Sequence, residues 1–427
     1  NRTLSYLFQA TYNYDDRYMV NINGRADGTS GFGNDSKWGS FGSVGVSWNF
    51  HKEKFYPYSK FINVFKLKAT YGTTGNSRIG TQEALGLYTY SESDNYMGTA
   101  GASQSGSPNQ NLTWETGNMI NLGLRLKFWN RVDVELETYW KRTFDMITNI
   151  DVSRTTGDTR VYRNFGQMLN KGIEANVEIQ VLQKKDLNWF FTLNASHNVN
   201  RLVNMYNGIE KVMGNYIWRE GYDTNTLYLI RWAGVDPRDG APLWYDAHDN
   251  LTRTYSTENR VPWKTASPAV NGGVSTEITY KDFSFSSQMV YQLGGYAFST
   301  FGRDVSSDGY LIMSQNQSIN QLDRWQKPGD IASTPKLIGG TSTKSVMNST
   351  RYVYNTTYLR LKNIALRYQV PDKFYKPLGI SSCSVTFIAD NLGFFTPYGK
   401  SNRNSYKQSV SGYPMETTYS LGVDLTF

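Results

Sequence analysis

The sequence predicts an all-β fold, a transmembrane antiparallel β-barrel. Three observations predict it. Long segments alternate between apolar and polar residues, tight turns alternate with long connections, and aromatic residues make up 15% of the 427 positions, with 31 Tyr and 11 Trp. Alternation of period two sends successive side chains to opposite faces of a strand. A wall with lipid on one side and a polar lumen on the other asks for that pattern. Amphipathic rings suit the two boundaries between water and hydrocarbon. An aromatic-rich secreted sandwich or propeller would share the composition, and its strands would also alternate. Such a domain rarely holds strands this long with charge so regular on the second face.

Composition excludes several other classes. Apolar residues are only 39% of the chain and mean hydropathy is −0.53. No run of 18 apolar residues occurs, so helical membrane spans are not expected. The net charge is +8, but the basic residues are scattered and mixed with acids, which argues against nucleic acid as a partner. A single cysteine, Cys383, allows neither an intrachain disulfide nor a CxxC metal pair. The chain opens on the strand-like LSYLFQATYNY rather than on an export signal, so processing or truncation is expected.

Read in order, the alternation gives about thirteen strands: 2–14, 16–28, 37–50, 62–75, 114–128, 131–146, 167–183, 187–202, 269–281, 282–296, 355–370, 380–394 and 416–427. Ile120, Leu122, Leu124, Leu126 and Phe128 alternate with Asn121, Arg125 and Lys127. Val132, Val134, Leu136 and Trp140 alternate with Asp133, Glu135, Glu137 and Lys141. Ile173, Ala175, Val177, Ile179 and Val181 alternate with Glu174, Asn176, Glu178 and Gln180. The segment Tyr358 to Tyr368 changes phase part-way, and one extra residue near Asn363, a β-bulge, reconciles its halves.

Tight turns are expected at Asp15-Asp16, Asn130-Arg131, Lys185-Asp186 and Lys281-Asp282. Long irregular segments are expected at 76–113, 147–166, 203–267, 297–354 and 396–415. Short periplasmic turns and long extracellular loops are the outer-membrane arrangement. Counting directions places Phe427 on the short-turn side and Asn1 on the long-loop side. Bacterial barrels usually have an even number of strands with both ends periplasmic, so N-terminal strands are expected to be missing from residues 1–427.

The last strand shows the pattern most cleanly. Tyr419, Leu421, Val423, Leu425 and Phe427 share one face, and Thr418, Ser420, Gly422, Asp424 and Thr426 the other. With its terminal aromatic it reads as a barrel-assembly signal, a strand edge that can be handed over by β-pairing. The alternative is an ordinary final strand.

Asp236-Pro237-Arg238-Asp239-Gly240 has clustered carboxylates, yet its spacing is not that of a calcium loop, and Asp-Pro and Asp-Gly are turn formers. Nearby Asp246, His248 and Asp249 add little. His51, His197 and His248 are far apart and lie in no hydrolase or zinc motif. The glycines from Gly28 to Gly33 lack the helix a phosphate loop requires and read as a hairpin loop. No catalytic residue, metal site or cofactor is expected. The long loops carry Tyr216, Trp218, Arg219, Trp232, Trp244, Tyr245, Arg324 and Trp325. Flat rings stack on sugar faces or peptide while guanidinium groups hydrogen-bond, which makes these eight the candidate substrate-binding set. Loop packing, or contact with another protein, is the competing reading for each.

Ordered motifs add a family. RADGTSGFG (25–33), KWGSFGSVGVSWNF (37–50), LKATYGTTGNSRIG (67–80) and PNQNLTWETGNMINLGL (108–124) begin the series. NKGIEANVEI (170–179), WAGVDPRDGAPLWY (232–245), YKDFSFSSQMVYQLGG (280–295) and RWQKPGD (324–330) continue it. TYLRLKNIALRY (357–368), ADNLGFFTPY (389–398) and YSLGVDLTF (419–427) complete it. Through them the chain resembles SusC/RagA-type TonB-dependent transporters of the Gram-negative outer membrane. The resemblance runs along nearly the whole chain but covers only the C-terminal half of such a protein. It implies a 22-stranded barrel and a plug domain, neither the plug nor the N-terminal strands lying within 1–427. It implies three further partners: TonB, a SusD-like surface lipoprotein, and oligosaccharide or oligopeptide cargo. One departure stands out. After ADNLGFFTPY the family usually has an acidic Asp-Pro-Glu segment, and here the sequence reads GKSNRNSY, so no loop contact is carried over to it.

The expected function is therefore active import of a large nutrient, without covalent chemistry. A TonB-dependent receptor for a siderophore or vitamin is the alternative within the membrane, and a secreted soluble glycan-binding β-protein the alternative outside it.

Overall fold

The computed structural model describes residues 2–33, 36–57, 61–77, 84, 87–157, 160–339, 344–400 and 415–427. GKSNRNSY and the rest of the last long connection fall largely outside them. Thirteen long antiparallel strands dominate: β1 Thr3–Tyr14, β2 Tyr18–Thr29, β3 Trp38–Asn49, β4 Ile62–Asn76, β5 Glu115–Phe128, β6 Val132–Phe144 and β7 Gln167–Gln183. Then come β8 Leu187–Asn204, β9 Val270–Tyr280, β10 Phe283–Leu293, β11 Tyr358–Gln369, β12 Ser382–Thr396 and β13 Thr418–Thr426. Their number and approximate bounds are those the alternation predicts.

The chain divides into two compact units, one formed by 1–177, 198–210 and 219–222, the other by 178–197, 211–218 and 223–427. In the first, β1 to β7 follow one another in sheet order. In the second, β8 to β13 do the same. Neighbours in sequence are neighbours in space, whether a tight turn or a long connection joins them, which is the order of an up-and-down antiparallel sheet.

The turns form where residues tolerate a left-handed backbone. Asp15 and Asp16 both sit at φ 51°, and Arg17 N donates to Tyr14 O at 2.9 Å. Asp is among the few side chains that accept this conformation cheaply. Lys185-Asp186 closes the hairpin between β7 and β8 without a left-handed residue, with hydrogen bonds between Lys184 and Leu187 in both directions. One turn differs from expectation by a residue. Its left-handed pair is Trp129 and Asn130, not Asn130 and Arg131. Phe61 N-terminal to β4 packs edge-on against Trp129 at 4.6 Å, and Trp129 N donates to Phe61 O. That contact holds the tryptophan in a conformation a bulky residue does not choose alone.

Side chains sort by face as the pattern predicts. In the first unit Tyr6, Phe8, Tyr18, Ile22, Val44, Val46, Leu67, Tyr71, Ile120, Leu122, Trp140 and Ile173 share one phase, and all are exposed. In the second unit Tyr280, Phe283, Met289, Leu366, Phe387, Tyr419, Leu421, Val423 and Leu425 do likewise. An apolar surface this continuous is not stable against water, and hydrocarbon is the solvent that suits it. The other face carries Arg125 bidentate to Asp133 at 2.9–3.0 Å, and Lys68 paired with Glu135.

The bulge expected near Asn363 is present. Gln288 pairs with Asn363 but Met289 pairs with Leu361, leaving Lys362 as the extra residue on β11. The partner strand answers with its own. Leu361 faces Gly393 while Asn363 faces Asp390, so Lys362 opposes both Asn391 and Leu392. Asn391 takes φ 57°. Arg360 donates to the Asn391 side-chain oxygen, and Asn363 Nδ2 donates to Asp390 Oδ1 at 2.7 Å.

The long connections are not irregular throughout, which corrects the sequence reading. Leu87–Tyr96 pairs with Thr99–Gly106, and Ile147–Asp151 with Arg160–Asn164. The 203–267 connection holds six short strands, and Tyr296–Phe298 pairs with Val353–Asn355. Several of these pieces are only two to five residues long, and Tyr296–Phe298 finds its partner Val353–Asn355 far along the chain, so period-two alternation does not announce them.

Candidate functional site

In the second unit the long connections build a small hydrophobic core of their own. Leu227, Leu229, Phe298 and Tyr352 are buried together, with Tyr216, Trp263, Tyr296 and Val353 packed against them. The strand Thr226–Val235 is its spine. Its first half, Thr226 to Ile230, pairs with Arg260–Thr265, and its second half, Arg231 to Val235, with Pro242–Tyr245. The register shifts between Trp232 and Gly234, leaving Ala233 as the extra residue, and Gly234, paired with Leu243, takes φ 116°.

Arg351 locks this core. Its guanidinium lies 4.9 Å from the centre of the Trp232 ring and 5.2 Å from that of Tyr352. It makes two hydrogen bonds to Asp308, at 2.5 and 2.8 Å. Ser345 Oγ donates to the same carboxylate at 2.5 Å. The Tyr352 hydroxyl donates to Ser345 O at 3.0 Å, and burial pushes its pKa far above the ordinary tyrosine value, which keeps it protonated. Trp232 N donates to Thr350 Oγ1 at 2.9 Å. A buried charge that is paired, hydrogen-bonded and stacked on rings is a structural clamp.

The eight loop residues singled out from sequence do not form one cluster. Trp232 is half-buried under Arg351, edge-on to Trp244 at 5.8 Å. Trp244 is 1% exposed and its Nε1 has no partner among the described residues, so it is loop packing. Tyr245 stacks under Arg231 at 5.5 Å. Tyr216 packs on the loop core, and Trp218 pairs with Lys211 across a hairpin. In the first unit Arg219 is ion-paired to Glu210 and lies 5.6 Å from the centre of the Tyr222 ring. Arg324 forms a parallel bridge with Thr334. Trp325 Nε1 donates to Pro237 O at 3.0 Å, its ring against Gly240.

The Asp236–Gly240 stretch is a salt-bridged turn. Arg238 reaches Asp236 with its backbone N, Nε and Nη2 at 2.9–3.1 Å. Arg253 joins Asp236 and, at 2.8 Å, Asp239. Arg238 first, and then Arg253, hold the Asp236 carboxyl well below the usual carboxylate range. Guanidinium groups thus take the lone pairs a cation would need, and no cluster of three metal-ligating side chains occurs among the described residues. His51 Nδ1 lies 3.1 Å from Phe65 O and His197 Nδ1 2.5 Å from Ala269 O, both in backbone contacts.

A second polar site was not foreseen. On the polar face of the first unit, a cavity of about 510 Å³ is lined by Thr3, Ser5, Arg25, Asp27, Asn76 and Trp114, among others. Arg25 and Asp27 form a bidentate pair at 2.6 and 2.9 Å. Phe41 packs edge-on against Trp114 at 5.5 Å and over Gly75, where a Cβ would sit 1.9 Å from the ring. The sequence signal was available: Arg and Asp two apart on a strand share a face.

Fold and faces together define an outer-membrane β-barrel with structured loops. Residues 1–392 match the family described as TonB dependent receptor-like, beta-barrel, and the chain belongs to that family. It is of the SusC/RagA type, and barrels of this kind lie in the outer membrane of Gram-negative bacteria. TonB-dependent receptor P3 of Formosa agariphila is 25% identical over 460 residues, covering 98% of this chain and 45% of that protein. TonB-dependent receptor SusC of Bacteroides thetaiotaomicron is 25% identical over 464 residues, covering 100% of this chain and 44% of SusC. The structure of the RagAB peptide transporter superposes with a TM-score of 0.88 at 27% identity, over 100% of this chain and 48% of that one. The RagAB peptide importer in its open-open state gives 0.89. The chain thus spans about half the length of the relatives it matches.

Proposed function

We propose that this barrel serves TonB-dependent import of a large nutrient, an oligosaccharide or oligopeptide, together with a SusD-like surface lipoprotein. The observation that carries the reading is the match along the whole chain, at 27% identity, to a solved peptide transporter, beside SusC at 25%. The built loop core supports it, because a loop with its own core can present a fixed surface to cargo. In this reading TonB acts through a plug domain, and no step makes or breaks a covalent bond. Trp218, Tyr245, Arg219, Arg324 and Trp325 are the residues proposed to touch cargo. Tyr216, Trp232 and Trp244 set the loop shape behind them.

The lipoprotein is proposed to rest on the apolar ridge of the 300–337 segment. Ile312, Met313, Ile319, Leu322 and Ile331 are all exposed there, Ile331 at 96%. Separate apolar side chains are ordinary on a surface, and the proposal rests on five of them falling within one segment. The last strand, from Tyr419 to Phe427, is proposed to be the assembly signal.

Deleting the gene and measuring growth on oligopeptides, on oligosaccharides and under iron limitation tests the reading. Loss of growth on one polymer is the expected result. Loss only under iron limitation would replace it with siderophore uptake. Release of the protein into buffer on fractionation would instead favour a soluble glycan binder.

A further inference from the structure

The apolar face of the first unit is not evenly covered. A groove of about 720 Å³ runs across β2 to β7, with walls that include Val46, Leu67, Leu122, Leu136 and Ile173. Its floor is Ala69, which pairs with Val46 on one side and Leu122 on the other. Long side chains on both flanks and a methyl group between them make the hollow. All these side chains belong to the membrane-facing phase, so the groove opens into hydrocarbon.

One end of the groove is marked. Tyr18 and Trp48 stand there with rings stacked 6.4 Å apart at 18°. Their polar atoms both turn to one carboxylate: the Tyr18 hydroxyl donates to Glu53 Oε1, and Trp48 Nε1 donates to it at 2.9 Å. Glu53 is buried, with Arg17 at 3.5 Å. Aromatic rings with apolar bodies and anchored polar tips sit where acyl chain gives way to headgroup. The connection carrying Glu53 also exposes Lys52, whose Nζ lies 3.1 Å from Asp16 Oδ2, and Lys54. β2 starts at the Asp15-Asp16 turn and β3 ends beside it, with Trp48 opposite Tyr18, so this is the short-turn, periplasmic boundary.

We propose that the groove is a binding site for one phospholipid of the periplasmic leaflet. One acyl chain lies over Ala69, and the phosphate meets Lys52 and Lys54 beside the Tyr18–Trp48 pair. A phospholipid suits the site better than a protein segment. The groove is apolar along its length, ends at an aromatic pair beside exposed lysines, and is continuous with the lipid-facing surface. A peptide backbone laid there would leave its polar groups unsatisfied in hydrocarbon.

The full-length transporter, extracted in mild detergent, tests this by native mass spectrometry after addition of dioleoyl phosphatidylglycerol. The expected result is one retained phospholipid per barrel, lost at least tenfold in Ala69→Trp, whose indole fills the floor. Lys52→Gln with Lys54→Gln should weaken retention several-fold while keeping the groove open. Heat-modifiable migration on gels reports folding, and Ala69→Leu replaces Ala69→Trp if the larger ring prevents assembly. Equal phospholipid counts in wild type and the folded floor variant overturn the proposal, since only an annulus of exchangeable lipid behaves so. Absence of retained phospholipid in the wild type overturns it as well.

Discussion

Arg351 and Asp308, 43 residues apart in the chain, meet in two parallel hydrogen bonds at a point almost closed to water. The aromatic faces of Trp232 and Tyr352 complete the enclosure. Removing one partner leaves the other charged and buried, which costs about 3–5 kcal/mol. Arg351→Ala and Asp308→Asn should therefore loosen the loop core while leaving the thirteen strands assembled. Limited proteolysis checks this. New cleavage confined to 223–267 and 297–355, with heat-modifiable migration intact, is the expected outcome, and unchanged protection would mean the pair is dispensable.

The Asp236 turn should respond to acid. Its carboxyl is depressed in the folded protein by Arg238 and Arg253. A depressed carboxyl contributes stability above the unfolded value, about 4, and loses it as pH falls further toward the folded value. Hydrogen exchange of residues 236–253 should thus be flat from pH 7 to about 5, after correction for intrinsic rates, and rise below about 4. Arg253→Gln should bring the rise to higher pH.

Gly240 is held at φ 72°, and a Cβ there would lie 2.6 Å from the Trp325 ring. Gly240→Ala meets both penalties, and the backbone penalty alone is about 1–3 kcal/mol. In the double variant with Trp325→Ala the steric part should vanish and the backbone part remain. A cycle of loop-opening energies from hydrogen exchange measures the difference. Simple additivity would show that the ring had already moved aside.

Deleting Lys362 removes the extra residue of β11. Asn363 then follows Leu361 directly, so Leu359, Leu361 and Ile364 keep the lipid side and Arg360 the polar side. What is lost is the residue that opposes Asn391 and Leu392 on β12. Assembly, read from heat-modifiable migration, should therefore survive the deletion with a lowered melting temperature, and loss of assembly would show that the two bulges are needed as a pair. Lys362→Ala keeps the residue count and should assemble normally.

How far the sequence could be read follows from where the information resides. Alternation is local, so all thirteen strands and even the phase slip near Asn363 were visible in it. The second bulge, at Asn391, was not, because it exists to match Lys362 on another strand. The turn after β5 was placed one residue late, since the left-handed backbone of Trp129 is imposed by packing on Phe61 rather than chosen by its own chemistry. The loop core was hidden for a related reason. Trp232 N finds Thr350 Oγ1 118 residues away, and no window of sequence contains both. Trp244 reads like an exposed ring in a polar loop, yet it is buried because partners from other segments close over it. The pocket at Arg25 and Asp27 needs Thr3, Asn76 and Trp114 from three other segments, and only the fold brings them together.

The Arg351 clamp bears on how such a barrel can be altered. Residues 223–267 supply the spine of the loop core, and 297–355 supply Phe298, Tyr352 and the cation that fastens them. Neither stretch encloses a complete interior. Transplanting one of them into a related scaffold would carry half a cassette, with a raw hydrophobic side and an orphaned charge. Moved as a pair they form a self-contained module, so recombination that changes cargo preference should preserve their co-inheritance.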